Sequence, residues 1–384
     1  MQIPLILKTP RAAMTAVFVA FGAAVGAQAG SMPVIVRAAG VDSFALGLAI
    51  AVSTVGSIMV MSCGGMIARH FSSRAVLLAS LPSFGLLSLA LLTSSSPLWF
   101  FVAFFLIGIN FGLTDIFMNA EAAAVEHDMG KPIFSAFHGS VSLGMPAFAI
   151  LSSFLSVQVG SWATGLCVCA MFALAWVMVR RIIPARALAS GKGAHMATLP
   201  NKTPLFLLGL AAGLIMAGEI AAILWSARLL DEQAPELAAI AGLGAAFHGL
   251  CNASLRLPGD ALRARFGELP LMMASLCVAM LGFAALGLSP SFAFSVAAFA
   301  LVGLGTAVLI PCAFALAARL APGNRAAGMG FISTVAGLPR ILGPWIFGWM
   351  AAATSISAAF GFYAAVMAVA LGLIAFLHRS RRLT

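Results

Sequence analysis

Inside an apolar segment that begins near Leu98, the sequence reads Gly108-Ile109-Asn110-Phe111-Gly112-Leu113-Thr114-Asp115-Ile116-Phe117-Met118-Asn119-Ala120-Glu121. The segment is long enough to cross a bilayer, yet it carries an aspartate, a glutamate and two asparagines. A carboxylate near the bilayer centre costs about 2.5 to 3.5 kcal/mol on insertion scales, so an acid at that depth indicates a function. We therefore predict that Asp115 binds a proton or a substrate.

The composition of the whole chain indicates an integral membrane protein. The 384 residues are 62% hydrophobic and 8% charged, and the mean hydropathy is +1.08, which excludes a soluble domain of average composition. A membrane-spanning helix takes about 20 apolar residues. We predict an all-α membrane protein with twelve transmembrane helices, at 12–36, 44–68, 75–94, 98–124, 133–157, 161–180, 204–229, 237–258, 269–288, 291–318, 326–351 and 355–377.

The net charge of +10 is explained by topology. Seventeen of the 21 lysines and arginines fall at the termini or in the breaks after even-numbered helices, whereas the odd-numbered breaks hold only Arg37 and Arg228. Because cytoplasmic loops carry the basic excess, this pattern places both termini in the cytoplasm of a multi-pass inner-membrane protein. We expect no nucleic-acid partner. The first apolar run is too long for a signal peptide and is retained as helix 1.

A hydrophilic break at 181–203 nearly bisects the chain and is typical of a cytoplasmic linker. We therefore predict two six-helix bundles, at 1–180 and 204–384. A shift of 195 residues places 71–80 on 266–275, and the same shift places 106–108 on 301–303. One offset shared by two blocks indicates a parallel duplication, an arrangement in which two bundles rock about a site near the membrane midplane.

The break at 64–74 reads Gly-Gly-Met-Ile-Ala-Arg-His-Phe-Ser-Ser-Arg and resembles the loop between helices 2 and 3 of the major facilitator superfamily. That loop has the approximate pattern Gly-x-x-x-Asp-Arg-x-Gly-Arg-Arg. The counterpart at 259–267 matches the pattern better, since it keeps Asp260, whereas Arg69 occupies the acid position in the first copy. With twelve spans and a central linker, the resemblance covers the whole chain. It implies gating roles for Arg69, Arg74 and Asp260.

A narrower resemblance is to the fucose-permease-like branch of that superfamily and its bacterial relatives. Two segments carry it, Asp115-x-x-x-Asn119-Ala120-Glu121 and Ser135-Ala136-Phe137-His138-Gly139. On helix 7, Glu219 followed by Trp225-Ser226 is also similar. The resemblance implies uptake of a small solute by proton symport, and it does not identify the substrate.

Asp115 and Asn119 are four residues apart and therefore share one face of helix 4. An asparagine one turn away can hydrogen-bond either protonation state of the acid, which suits proton coupling. The alternative is that Asp115 pairs permanently with a basic residue and holds helix 4 in place. Glu121 lies nearer the cytoplasmic end, where we expect a gating contact. His138 either pairs with it or packs as a neutral side chain.

Glu219 and Arg340 each lie about fifteen residues into a helix that starts in the cytoplasm, so both should lie near mid-depth. They form either a fixed ion pair or a binding pair in which Arg340 takes a substrate oxygen or carboxylate. Arg256 precedes Asp260 by one turn, which predicts a structural or gating pair between them.

Three further polar or aromatic side chains are candidates for substrate contact. Gln28 on helix 1 is placed to hydrogen-bond a polar solute, whereas Gly22 and Gly26 beside it indicate close helix packing. Trp225 either stacks on a sugar face or anchors at the membrane interface. His248 lies deep in helix 8, and we expect it to face a cavity.

These observations predict a secondary transporter that moves a small polar solute by alternating access, with protons and the lipid bilayer as its partners. We expect a monomer with no enzymatic activity, cofactor, metal site or phosphate-binding loop. The predicted substrate-binding residues are Gln28, Asn119, Glu219, Trp225, His248 and Arg340; the predicted gating residues are Arg69, Arg74, Glu121, His138, Arg256 and Asp260. The alternatives are a proton-coupled exporter of a metabolite or drug, and a non-transporting receptor or scaffold with the same fold.

Overall fold

The computed structural model of the protein describes residues 9–130, 133–185, 202–321 and 325–380, and these residues form helices joined by short turns. A 3₁₀ turn spans Pro235–Ile240. The α-helices are α1 (Pro10–Ala39), α2 (Ser43–His70), α3 (Ser73–Leu92), α4 (Pro97–Met129), α5 (Phe134–Gln158), α6 (Ser161–Ile182), α7 (Lys202–Leu224), α8 (Ser226–Gln233), α9 (Leu243–Arg256), α10 (Gly259–Phe266), α11 (Glu268–Gly287), α12 (Phe292–Thr306), α13 (Leu309–Leu320), α14 (Arg325–Ala353) and α15 (Ile356–Arg379).

Within the described ranges, ten helical segments are long and apolar enough to cross a membrane, with α12 and α13 counted together as Phe292–Leu320. The predicted all-helical membrane fold is therefore confirmed. Two predicted spans are not among the ten. One corresponds to α9, which has only 14 residues, and the other to α14, which has 29 residues and contains Arg340, Pro339 and Pro344. The count of twelve stays a prediction.

Three of the spans predicted as continuous helices are interrupted. Span 7 breaks at Trp225, span 8 starts in the 3₁₀ turn and becomes α-helical only at Leu243, and span 10 breaks at 307–308. The break in span 10 has a clear cause in Pro311, which lacks the N–H that would bond the carbonyl of Ala307 and clashes with that carbonyl. The freed carbonyl of Ala307 instead accepts a hydrogen bond from Arg256 Nε at 3.2 Å.

The described residues group into two compact units. Unit 1 contains 9–41, 52–130, 133–185 and 236–246, and unit 2 contains 42–51, 202–235, 247–321 and 325–380. Helix α2 contributes its first turns to unit 2 and its remainder to unit 1. Most of the predicted linker at 181–203 falls at 186–201, which lies outside the described residues.

Close contact between α1 and α5 holds the centre of unit 1 together. A Cβ atom added at Gly22, Gly26 or Gly30 would meet the backbone of α5, at the carbonyls of Val141, Met145 and Ala149 respectively. The prediction that Gly22 and Gly26 serve helix packing is confirmed.

The core of unit 2 is aromatic. Phe347 lies between the rings of Trp225, Phe360 and Tyr363, with ring centroids 4.7 to 5.7 Å apart. All four side chains are almost fully buried. Large rings packed in this way stabilise a core through both apolar burial and edge contacts. They pack α14 and α15 against the end of α7, the helix that carries Glu219.

Candidate functional site

In unit 1, helix α4 places Asp115 and Asn119 in direct contact. The Asn119 Nδ2 donates to the Asp115 backbone carbonyl at 2.8 Å and to the Asp115 carboxylate Oδ1 at 3.2 Å. Both side chains are partly buried. The Asn119 Oδ1 is buried and accepts no hydrogen bond from the described residues. The pair thus holds a carboxylate and an orphaned amide oxygen side by side within a membrane-spanning helix.

Two other polar residues of α4, Asn110 and Thr114, have a structural role. Asn110 Nδ2 donates to Ser83 Oγ on α3, and Thr114 Oγ1 donates to Asn110 Oδ1 at 3.0 Å. Asn110 and Thr114 are both buried. Because this chain of hydrogen bonds runs from α4 to α3, it fixes the rotation of α4 and hence the direction in which Asp115 points.

The C-terminal half of α4 carries Glu121, whose side chain is almost completely buried. His138 on α5 is exposed and lies against the rings of Phe18 and Phe134, with centroids 5.3 and 5.0 Å away. Glu126 accepts hydrogen bonds from the backbone N–H groups at the start of α5, at 2.6 and 2.7 Å. A carboxylate at a helix N-terminus is favourable there, so Glu126 joins α4 to α5.

In unit 2, four side chains from three spans meet at the break between α12 and α13. Asn252 Nδ2 donates to the Glu219 carboxylate at 3.3 Å and lies 3.2 Å from Thr306 Oγ1. Arg256 Nη2 lies 3.9 Å from Glu219 Oε1, and its Nε donates to the freed carbonyl of Ala307. We call Glu219, Asn252, Arg256 and Thr306 the unit 2 polar cluster.

The predicted pair between Glu219 and Arg340 is wrong, because Arg256 and Asn252 are the partners of Glu219. Equal depth does not imply that two side chains face each other. Helix α14 meets α7 through small or rigid residues: a Cβ at Gly213 would lie 2.8 Å from Ala336 Cα and 2.9 Å from Pro339 Cγ. Arg340 follows Pro339 directly and is half-buried.

The predicted pair between Arg256 and Asp260 is also wrong. The spacing of four residues brings side chains together only within one continuous helix. Helix α9 ends at Arg256, and Pro258 caps the separate helix α10. Asp260 therefore pairs with Arg263 at 2.8 Å, and its side chain is 89% exposed.

Trp225 is completely buried, and its ring packs against Phe347 at a centroid distance of 4.7 Å. In this structure no ring face is open for stacking on a sugar. The prediction failed because Trp225 lies at the break between α7 and α8, where the aromatic core of unit 2 encloses it.

His248 and Gln28 are both buried, and they differ in their surroundings. His248 is 2% exposed, and a Cβ at Gly303 would meet its backbone, so α9 and α12 approach closely there. The His248 Nδ1 has no hydrogen-bond partner among the described residues. Gln28 is 8% exposed, and its amide forms no hydrogen bond within the described chain. Their substrate contacts stay predictions.

Of the predicted gating residues in the first loop, Arg69 is exposed and Arg74 has a defined contact. Arg74 Nη2 donates to the backbone carbonyl of Arg180 at 2.8 Å. This carbonyl belongs to the last turn of α6, where the helix dipole favours a positive charge. Arg74 therefore ties the start of α3 to the end of α6 within unit 1.

The second loop contains an ion-pair network that is absent from the sequence-based predictions. Glu268, the first residue of α11, accepts from Arg319 Nη1 at 2.8 Å and lies 3.9 Å from Arg263 Nη2. Arg263 in turn pairs with Asp260. The sequence did contain a signal for this network, because Glu268 directly follows Gly267 at the end of the loop pattern. The network joins α10, α11 and α13.

We expect the Glu219 and Arg256 side chains to be energetically coupled. Glu219→Gln and Arg256→Gln should each destabilise the detergent-purified protein, and the double variant should lose less than the sum of the two. Contacting residues typically show interaction energies of about 0.5 to 3 kcal/mol. Thermal unfolding of the four proteins measures this energy. The control is the double variant Glu219→Gln with Arg319→Gln, because Arg319 pairs with Glu268 and its loss of stability should add to that of Glu219→Gln. If the losses of stability of Glu219→Gln and Arg256→Gln are also additive, the pair is refuted.

Among the described residues, no group of three or more His, Cys, Asp and Glu side chains is arranged to hold a metal ion. Carboxylate, guanidinium, amide and hydroxyl groups such as these can bind protons, pair charges and form hydrogen bonds with a solute.

Comparison with known proteins identifies similar chains. Residues 205–383 match the model of the Major Facilitator Superfamily. The Membrane protein MosC of Rhizobium meliloti is 26% identical over 369 residues, covering 94% of this chain and 88% of MosC. An uncharacterised MFS-type transporter of Yersinia pestis is 27% identical over 335 residues and covers 84% of each chain.

Solved structures share the fold. A mutant of the nucleoside transporter NupG superposes with a TM-score of 0.79 over 96% of this chain and 99% of that chain, at 14% identity. A D-xylose-proton symporter superposes with a TM-score of 0.74 over 94% and 95%, at 15% identity. The fold is thus that of these multi-pass membrane transporters.

Proposed function

We propose that this protein is a secondary transporter of the Major Facilitator Superfamily that moves a small polar solute by alternating access. The observation that carries the proposal is the presence of charged groups within the apolar helices of both units, Asp115 in one and Glu219 with Arg256 in the other. Charged side chains inside a membrane are costly and typically mark substrate or ion pathways. The similarity to transporters over most of the chain supports the same function.

We further propose that transport is coupled to protons, and that Asp115 is the proton carrier. The contact with Asn119 supports this role, because Asn119 can donate to the ionised carboxylate through Nδ2 and accept from the protonated one through its orphaned Oδ1. A group that loads and releases a proton needs such a partner in both states. Symport would agree with the resemblance to the fucose-permease-like branch. Export of a solute by proton antiport would use the same side chains, Asp115 and Asn119.

Flux measurements on purified protein in proteoliposomes test this function. With an inside-alkaline pH gradient, a symporter should accumulate its solute above the external concentration, whereas an antiporter should expel it. A receptor or scaffold should move no solute in either direction. Tested solutes should include sugars, polyols, nucleosides, organic acids and amino acids, with empty liposomes as the control.

We also propose that the protein lies in a cell inner membrane as a monomer, with both termini and the linker 181–203 in the cytoplasm, between bundles 1–180 and 204–384. The distribution of basic residues supports this orientation.

Cysteine labelling of intact cells tests the topology. In a background with the six native cysteines replaced, an impermeant maleimide should label Glu236→Cys, which lies in the exposed turn after α8. The same reagent should not label Ser190→Cys in the linker until the cells are permeabilised. Labelling of Ser190→Cys alone in intact cells would reverse the orientation.

A further inference from the structure

The Arg256 guanidinium is incompletely satisfied by the protein around it. Its Nε donates to the Ala307 carbonyl, whereas Nη2 lies 3.9 Å from Glu219, beyond hydrogen-bond distance. Neither Nη group makes a hydrogen bond to a described residue, and the side chain is 42% exposed. A guanidinium presents its donors as a planar fork, and here the two free Nη groups form the outer edge of that fork.

The backbone holds this fork in a fixed position. The Ala307 carbonyl is available to Arg256 because Pro311 cannot bond it, so the interruption of span 10 creates the anchor. Helix interruptions near the middle of a membrane protein commonly line substrate and ion sites. Asn252 and Thr306, one on α9 and one on α12, place an amide and a hydroxyl beside the same carboxylate.

We propose that Arg256 binds a carboxylate group of the transported solute, and that this carboxylate displaces Glu219 as the counter-ion of Arg256. The inference rests on the proposed transport function and assigns its substrate class as small organic monoacids. A bidentate pair with the two Nη groups would use the donors that Glu219 leaves unsatisfied. A single positive charge matches a monoanion, whereas a phosphate dianion would leave one negative charge uncompensated.

Charge balance connects this binding step with a proton. Before binding, Glu219 and Arg256 sum to zero; after binding, the solute carboxylate adds one negative charge to a site inside the membrane. An uncompensated charge there is costly, so in the proposed transport cycle the proton that Asp115 carries balances the charge of the solute carboxylate.

Other titratable groups lie on the elements that surround Glu219, and none of them replaces Arg256. Among the described residues, Arg256 is the one cation within 4 Å of the Glu219 carboxylate. The remaining groups on the neighbouring helices are Arg228, Asp231 and Glu232 on α8, His248 and Cys251 on α9, Cys312 and Arg319 on α13, Arg340 on α14, and Tyr363, His378 and Arg379 on α15.

The Glu219→Gln variant tests the anion site even while the transported solute is unidentified. This variant removes the internal counter-ion but keeps the side-chain volume, so Arg256 should bind small carboxylates from solution. The probes are formate, acetate, lactate and gluconate, each compared with a neutral counterpart: formamide, acetamide, lactamide and sorbitol. Melting temperature as a function of probe concentration gives the dissociation constant.

We expect at least one monocarboxylate to stabilise the wild type, and Glu219→Gln to bind it about tenfold more tightly, within the usual range of coupling between linked equilibria. The neutral counterparts should have no effect. Stabilisation should be absent from the double variant Glu219→Gln with Arg256→Gln, which has no net charge change, and present when Arg319→Gln replaces Arg256→Gln as the matched control.

Three results would overturn the anion site: no carboxylate stabilises Glu219→Gln, the neutral counterparts stabilise it equally, or the double variant with Arg256→Gln still binds. Flux separates this inference from the transport function. Solute flux at the wild-type rate in Arg256→Gln would overturn the anion site and keep transport. Anion binding at Arg256 in a protein that moves no solute would confirm the site and contradict transport.

Discussion

Replacing Asp115 with asparagine should abolish solute accumulation against a gradient while leaving exchange of solute across the membrane nearly unchanged. Asparagine keeps the size and the hydrogen bond with Asn119 but carries no titratable proton. If one proton moves with each solute, a pH difference of one unit supports about tenfold accumulation, since a factor of ten corresponds to 1.4 kcal/mol. The variant should therefore fall from about tenfold accumulation to equality of the inner and outer concentrations.

Proteoliposomes with an imposed pH difference measure the accumulation, and counterflow of labelled solute measures exchange without a driving force. Asp42→Asn is the matched control, because it makes the same chemical change in an exposed acid whose Oδ1 accepts a hydrogen bond from the Ala45 N–H, a bond that asparagine can also accept. Undiminished accumulation by Asp115→Asn would refute the proton-carrier role. Loss of both accumulation and counterflow would instead assign Asp115 a structural role.

Replacing Gly26 with alanine should strongly destabilise the protein. The added methyl group would overlap the Met145 carbonyl and lie 2.9 Å from the Ala149 backbone nitrogen, so α1 and α5 would have to separate. Inserting a methyl group into a well-packed core typically costs about 1 to 3 kcal/mol. Because the obstacle is backbone and not a flexible side chain, we expect a loss toward the upper end of that range.

Thermal unfolding of the purified protein measures this effect. Gly372→Ala on α15 is the control, since no atom lies within 4 Å of the added methyl group. That variant should be neutral or gain up to about 1 kcal/mol from the higher helix propensity of alanine. Equal melting temperatures for the wild type and Gly26→Ala would contradict the tight α1–α5 contact.

Properties that depend on residue type and spacing along one helix were predictable. The hydropathy of the chain indicated a helical membrane protein, and the helices that bury Gly22 and Gly26 lie within a few residues of the predicted spans. The contact between Asp115 and Asn119 follows from their spacing within a continuous helix. In each case, the geometry of a single helix is sufficient to predict the contact or the span.

Properties that depend on how helices rotate about their axes were not predictable. Glu219 and Arg340 have similar depth, but the Gly213 contact with Ala336 and Pro339 sets which face of α14 meets α7. The depth of a residue in the membrane follows from its position along the helix, whereas the direction in which its side chain faces is set by the packing of that helix against its neighbours. The partner of Glu219 was therefore misassigned.

Helix interruptions caused the other errors. The expected contact of Arg256 with Asp260 assumed one helix, but α9 ends at Arg256. Pro311 was a readable signal for the break in span 10, because proline cannot bond the carbonyl four residues earlier. That the freed Ala307 carbonyl would anchor Arg256 depends on a neighbouring helix and needed the structure.

The most direct test of the proposed function is proton movement driven by the solute. Wild-type proteoliposomes containing a pH-sensitive dye, at equal pH on both sides, should acidify internally when a transported solute is added outside. Among the solutes tested, a monocarboxylate should produce this signal, and its neutral counterpart should not. Solute uptake without any change of internal pH would contradict proton symport, and the absence of both signals with every solute would contradict secondary transport itself.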